Sequence, residues 1–508
     1  MRIRSISFDD KKYELSDSSV SSEENTFTVL VGRNGSGKSR ILQRICNIYI
    51  NSLGIDGRHI LNTPINLNAY NDINNTSSLN YGKITYEQNK NTYEISSRQL
   101  NGLYNFHISQ FIIEKKIKTS ECNIFCDINK IIAVSTSPFD KFPVIERHMH
   151  WNSNIYEKKY IYRGGKIKVN SQKDYLKNKF DQLGASLINF FLRSDRTKDK
   201  ISILLEAMNL DEKINMYFSF PWPFSPSEII NTPNPKSISD SLSSIRFFKD
   251  KGERVTLSQD EEKALTENLK LVLNHYQFKE HHRRENFELE LNLLNRSKDE
   301  NIELLNSLSS LANYDLIELI DIKFSKNNKS FYLTDSSSGE LSLIFNLLSI
   351  AGEIENNSLI LIDEPEISLH PEWQSNFLPL LSKMFSNYQG CHFIIATHSP
   401  QILSSTNDKN VYIINLEYSN KLIRSEEISK MSADYQLAYV FKEPGYKNEY
   451  LTRIALTTFT NVNKKKIFSE DDINSLELLL ENMSHLDKSD PLHQLILSLK
   501  EMRGQSKT

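Results

Sequence analysis

The stretch TFTVLVGRNGSGKS, Thr26 to Ser39, constrains this chain more than any other. Six β-branched and apolar residues in a row read as a strand buried on both faces. They run straight into GRNGSGKS, which satisfies GxxxxGK[ST], and the RILQRICNIYI that follows has helical spacing. A strand before and a helix after are the context that a phosphate-binding loop requires. The glycines let backbone amides turn inward around phosphate oxygens, and the helix amino terminus adds a favourable dipole. Gly32, Arg33, Asn34, Gly35, Ser36, Gly37, Lys38, Ser39 and Arg40 are therefore the expected nucleotide-binding residues. Lys38 is placed to neutralise the β- and γ-phosphates, and the Ser39 hydroxyl to ligate Mg²⁺.

SLILIDEPE (Ser358–Glu366) supplies a second half. Its apolar run makes a buried strand, so Asp363 and Glu364 emerge at the carboxyl end, where α/β sheets place their ligands. Asp363 is expected in the magnesium shell, and Glu364 is expected to orient or deprotonate the attacking water. CHFIIATHS (Cys391–Ser399) is another strand ending in polar residues, and His398 falls where an imidazole meets a γ-phosphate. Between the two halves, TDSSSGELSLIF opens an apolar helix at Ser338-Gly339-Glu340. That start offers free backbone amides and a positive dipole end. Taken locally it is an ordinary N-cap at Ser338. In a two-fold dimer it faces the γ-phosphate held by the other subunit, and ATP then joins two heads.

At 508 residues the chain exceeds one simple core, and two to four domains or subdomains are expected. With 61 Lys+Arg against 64 Asp+Glu, nucleic-acid contact has to come from local patches. KEHHRR and NKKKIF (Asn463–Phe468) are the best of these, each equally readable as plain surface. No apolar run is long enough to span a bilayer, and MRIRSISFDDKKYEL alternates like a strand, unlike a signal peptide. Four cysteines give no disulfide framework and fit a reducing cytoplasm; Cys122 and Cys126 are spaced CxxxC without a second pair to complete a zinc site.

Along the chain, GKITYEQ with NTYEISS, and YEKKYIYRGGKIKV, read as hairpins of an antiparallel sheet, and Ile131–Val134 in KIIAVSTSPFDKF as a buried strand. The expected division is 1–175 for the first half of a nucleotide-binding head, 176–310 for a helical insertion, 311–420 for the second half and 421–508 for a helical region. SQDEEKALTENLKLVLNHYQ, capped by Ser258, and KDENIELLNSLSSL belong to the insertion, which lacks heptads for a long coiled coil. The Pro-aromatic loop FSFPWPFSPSE (Phe218–Glu228) is either a docking surface or packed beneath the insertion. Ser469 and Ser489 are the expected caps of the last two helices, with Pro491 just inside the second.

GRNGSGKS, SSGE, LILIDEPE and ATHS, in that order, resemble the ABC-type ATPase heads of the Rad50/SMC/RecF group, and DEPEISLHPEWQ with ATHSPQIL is similar to its OLD-like branch. Size, insertion and helical tail resemble the PtuA-like ATPases of Septu-type anti-phage systems, which some retrons also carry. The resemblance implies an α/β fold: an ABC-type P-loop ATPase head, a mixed sheet flanked by helices, with a helical insertion and a helical C-terminal region. It implies a homodimer of heads, extendable to a higher oligomer, that hydrolyses ATP and controls a separate HNH-type nuclease (PtuB-like). In a retron setting, a reverse transcriptase and its DNA–RNA product are further partners. KIIAVSTSPFDKF resembles the segment carrying the family's Q-loop, without an obvious glutamine. No DxD pair follows ATHSPQIL, so the nuclease domain of OLD-type proteins is not expected. HHRRENFELE (His281–Glu290) reads as a solvated helical face, lacking the context of an HNH site. The rivals are a RecF/Rad50-like repair ATPase acting directly on DNA, which predicts DNA-stimulated hydrolysis, and an ATP-bound scaffold with negligible turnover.

Overall fold

A computed structural model describes residues 2–9, 11–17, 23–53, 82–88, 91–100, 103–112, 115–117, 128–144, 159–165, 175–192, 198–221, 224–226, 229, 237–250, 257–275, 279–281, 284–294, 300–314, 316–327, 329–406, 408–417, 422–428 and 431–505. Its centre is a seven-stranded sheet of order β18-β17-β3-β16-β15-β8-β9. The strands are β3 (Thr26–Val31), β8 (Ile131–Ser135), β9 (Tyr160–Arg163), β15 (Leu359–Asp363), β16 (His392–Ala396), β17 (Val411–Asn415) and β18 (Ile423–Arg424). All pair in parallel except β17 with β18. Parallel strands covered on both faces read as unbroken apolar runs, and β3, β15, β16 and β17 are buried at every residue.

The pleat divides each run between two cores. Ile360, Ile362, Phe393, Ile395, Phe27 and Val29 face a large core shared with helices α2 (Tyr175–Leu192), α3 (Lys198–Met208), α7 (Ser338–Ala351) and α8 (Pro371–Met384). Leu359, Leu361, Ile394 and Leu30 face α1 (Lys38–Leu53) and an antiparallel sheet of order β2-β1-β4-β5-β6-β7. Those strands are β1 (Arg2–Phe8), β2 (Lys11–Glu14), β4 (Gly82–Gln88), β5 (Asn91–Leu100), β6 (Leu103–Ile112) and β7 (Lys115–Ile117). The β4–β5 hairpin is as expected. YEKKYIYRGGKIKV is not a hairpin strand of that sheet, because its β9 segment extends the central sheet in parallel beside β8.

The block 176–310 is helical in α2, α3, α4 (Ile238–Asp250), α5 (Gln259–His275) and α6 (Glu300–Asn313), with the Ser258 cap in place. It also contributes β10 (Lys213–Ser219), β11 (Lys279–His281) and β12 (Arg284–Asn292), which join β13 (Glu318–Lys326) and β14 (Lys329–Tyr332) in a third sheet, β11-β12-β10-β13-β14. The described part of HHRRENFELE is therefore strand, β12 pairing antiparallel with β11: Phe287, Leu289 and Leu291 alternate into the core, and Glu288 and Glu290 point out. That is period 2, not a helical face.

A third core, around Leu451, Leu476, Leu479, Leu492 and Ile496, holds α9 (Glu449–Lys465), α10 (Glu470–Met483) and α11 (Pro491–Gln505). Ser469 makes a full capping box with Asp472. The cap of α11 is Asp490, whose Oδ1 accepts from the Leu492 amide at 2.9 Å, so Ser489 lies outside it. Among the described residues no helix is long and apolar enough to cross a membrane. Cys122 and Cys126, His282 and Arg283 of KEHHRR, and Trp222, Pro223 and Glu228 of the aromatic loop lie outside the described residues.

Candidate functional site

Sheet order assembles the site. β16 lies between β3 and β15, so whatever follows β16 arrives between the phosphate-binding loop and the acidic pair. Asp363 pairs with Ala396, and Ala396 with Leu30, so the three strands end at one level. His398, two residues beyond Ala396, thus falls between Lys38 and Glu364, with Lys38 Nζ 3.2 Å from His398 Nδ1 and His398 Nε2 3.7 Å from Glu364 Oε1.

In the loop, Gly35 and Gly37 hold φ of 86° and 101°, a region other residues enter at a cost, and a Cβ at either would meet open space. Lys38 is buried, and its ammonium donates to the carbonyls of Gly32 (2.7 Å) and Arg33 (3.0 Å). Burial lowers its pKa to about 8, opposed by Glu366, Glu364, Asp363 and Glu417. Ser39 Oγ donates to Asp363 Oδ1 at 2.9 Å. Burial pushes the Asp363 carboxyl up to about 7; the Ser39 hydrogen bond opposes this, and Glu364 and Asp140 reinforce it. Burial, then the Lys38 charge, lowers His398 to about 4, leaving a neutral ring at neutral pH. Glu364 sits at φ 51°, left-handed for a non-glycine residue, which costs about 1–3 kcal/mol. Its amide donates to the Ala396 carbonyl at 2.9 Å, which holds the backbone there.

A nucleotide with Mg²⁺ fits this donor set. The loop is open at Gly35 and Gly37, the buried Ser36 hydroxyl lacks a partner among the described residues, and Ser39 with Asp363 offers the hydroxyl–carboxylate oxygen pair that a hard cation takes. Asn34 and Arg40 are exposed at the loop and on α1. The Arg33 side chain instead turns toward Glu443 and His485.

The helix start after the third sheet differs in detail from its reading in the sequence. The N-cap is Ser337, not Ser338: Ser337 Oγ accepts from the Glu340 amide, and the Glu340 carboxylate accepts from the Ser337 amide. Gly339 has a reason within its own chain, since a Cβ there would lie 2.8 Å from the Ser368 carbonyl. Ser337 and Ser338 are both exposed at the tip.

Two groups went unread. Glu366 Oε1 accepts from the His398 amide at 2.5 Å, while its buried Oε2 has no partner among the described residues. Its signal was the third acid in IDEPE. The loop after β8 is the other: Ser135 and Thr136 donate to the carbonyls of Asp363 and Glu364, and buried Asp140 accepts from Tyr162 Oη at 2.6 Å. Small hydroxyls and Asp140 therefore stand where a Q-loop glutamine was sought. Of the basic patches, Lys464–Lys466 lie exposed at the end of α9.

Comparison with known proteins adds the following. Residues 5–403 match the family model described as AAA ATPase domain. The chain is 24% identical over 466 residues to the Retron Vc95 probable ATPase of Vibrio cholerae serotype O1 biovar El Tor, covering 83% of this chain and 75% of that protein. It is 32% identical over 106 residues to the Retron Ec83 probable ATPase of Escherichia coli, 19% of each chain. It is 36% identical over 117 residues to Protein ea59 of Escherichia phage lambda, 21% of this chain and 22% of that one. The chain thus spans under a quarter of the length of two of these relatives. Among solved structures, an SMC head bound to the C-winged helix domain of ScpA overlaps 84% of this chain and 99% of its own, at 10% identity and a TM-score of 0.31.

Proposed function

We propose, given that the chain belongs to the AAA ATPase domain family, that it binds and hydrolyses ATP and pairs its heads around the nucleotide. One observation carries the reading: Lys38, the Ser39–Asp363 pair and the Glu364–His398 pair meet at the carboxyl ends of three adjacent parallel strands. Lys38 exchanges the carbonyls of Gly32 and Arg33 for the β- and γ-phosphates of the substrate. Ser39 and Asp363 would hold a Mg²⁺ ion, which would supply charge neutralisation of the phosphates. Glu364, fixed by its left-handed backbone, orients the attacking water and accepts its proton. His398, neutral and tethered through its amide to Glu366, hydrogen-bonds the γ-phosphoryl group.

Ser338 and the amides of Ser338 and Gly339, which the capping box does not use, complete the pocket of a second copy, and the exposure of Ser338 at the tip supports this role. In this reading, ATP draws two heads together and hydrolysis releases them. The likeness to two probable ATPases named for retrons supports a place in an anti-phage complex, with a separate HNH-type nuclease as effector. A reverse transcriptase and its DNA–RNA product are the matching partners of a retron version. No nuclease step is assigned to this chain.

The test is steady-state phosphate release by the purified chain and by Glu364→Gln. The variant should lose at least about 100-fold in turnover while still binding ATP, the scale seen when a catalytic base is removed. Equal turnover in the two proteins would refute the assignment.

A further inference from the structure

We propose that the C-terminal helical unit is latched onto the nucleotide site through Arg33, and that a bound triphosphate opens this latch. The inference rests on the reading that the site takes ATP. Arg33 belongs to the phosphate-binding loop, yet its charged contacts come from elsewhere in the chain. Glu417, just beyond β17, accepts the Arg33 amide at 3.0 Å and lies 3.8 Å from its Nε. Glu443 accepts from the same Nε, and His485 Nδ1 lies 3.2 Å from the other end of the guanidinium.

Two of those three groups belong to the C-terminal unit, and local structure fixes both. A π-helical turn, Leu437–Phe441, ends at Lys442 with φ 57°, and the Glu443 amide closes back on the Leu437 carbonyl at 2.8 Å. Insertions of this kind inside helices concentrate at functional sites. The turn is anchored in the head, because Val440 and Phe441 lie in its large core and Asn415 Nδ2 donates to the Val440 carbonyl at 2.7 Å. His485 lies between α10 and α11, and a 3.0 Å contact from Lys442 to Glu481 ties the end of α10 to the same turn. α9–α11 share their own core with Ala438 of the turn, and Tyr435 meets Tyr450 of α9 edge-on at 4.9 Å, so a movement of these helices pivots on the turn rather than on the sheet-facing cores of the head.

Electrostatics then sets the direction of the switch. Glu417 and Glu443 bring two carboxylates to the mouth of a loop shaped to receive an anion, and the Glu443 charge is also felt at His398. A bound triphosphate repels both carboxylates and competes for Arg33, and the two effects act together to release Glu443 and His485. The C-terminal unit would thereby report nucleotide state to whatever docks on it, some distance from the chemistry.

The experiment uses the full chain in two measurements. Affinity for a fluorescent ATP analogue with Mg²⁺ is compared between wild type and Glu443→Ala; removing one carboxylate beside the phosphates should tighten binding about three- to tenfold. Hydrogen exchange of wild type, with and without saturating ATP, should show several-fold faster exchange in 442–447 and 484–490 when ATP is bound. Unchanged or weaker binding by Glu443→Ala, or exchange in those segments that ignores ATP, overturns the latch while leaving ATP binding intact. Failure of both proteins to bind the analogue overturns the nucleotide reading and the latch with it.

Discussion

Replacing Gly339 by Ala probes the helix start that is proposed to meet a second copy's nucleotide. The new Cβ would lie 2.8 Å from the Ser368 carbonyl oxygen, with the His370 amide and Leu369 Cα both at 3.7 Å. A relaxed carbon–oxygen contact is near 3.4 Å, so about 0.6 Å of movement is needed. The carbonyl is poorly placed to yield, since Ser368 sits at φ 66° in a turn closed by the Leu369 amide on Glu366 at 3.0 Å. The helix start must move instead, against the Ser342 hydroxyl bond to the Ile367 carbonyl at 3.2 Å. Overpacking of this kind costs about 1–3 kcal/mol, while Ala gains about 1 kcal/mol over Gly in a helix. Net destabilisation should therefore be only about 0–2 kcal/mol. Turnover is more sensitive, because a 1 Å misplacement costs on the order of 100-fold and half of that about tenfold. The assays are phosphate release at saturating ATP and thermal unfolding by circular dichroism. Wild-type turnover with an unchanged melting temperature would refute the reasoning.

Gly352, at the far end of the same helix, supplies a contrast: a Cβ there would lie 2.2 Å from the Ser186 carbonyl. Gly352→Ala should therefore destabilise more than Gly339→Ala in chemical denaturation, yet lower turnover per folded molecule less. Fully buried His392 accepts from the Ile3 amide at 3.1 Å and pairs with Thr28 Oγ1 at 2.8 Å, and burial lowers its pKa to about 3. The folded ring stays neutral while the unfolded one protonates below about 6.5, so stability is full above that pH and falls as pH drops toward 3. From pH 7 to 5 this ring should account for about 2 kcal/mol of lost stability, a loss that urea unfolding should find missing in His392→Gln. Equal losses in the two proteins would contradict it.

The sequence made the central strands and the nucleotide loop legible because their determinants are local. TFTVLV and LILID are apolar at successive positions, and GRNGSGKS carries its own turn chemistry. Fine details of capping were less so. Four serines and threonines crowd Thr334–Ser338, and which of them caps depends on where Glu340 can reach back, which selects Ser337. ENFELELN carried a clear alternation that the surrounding charge run obscured. The parallel placement of β9 and the closure of Glu443 on Arg33 depend on contacts hundreds of residues apart, or on the order of strands in a sheet. No local pattern encodes either. Glu366 was visible as an acid but not as a hydrogen-bond partner of the His398 amide, since that contact exists only once β15 and β16 lie side by side.

The claim that two heads close around ATP meets its most direct test in the mass of Glu364→Gln by sedimentation velocity, with and without ATP and Mg²⁺. The expected result is a doubling of mass with nucleotide that disappears in Glu364→Gln/Ser338→Arg, while both proteins bind ATP equally. A Glu364→Gln protein that binds ATP and stays at its nucleotide-free mass, or a doubling that survives Ser338→Arg, would contradict it.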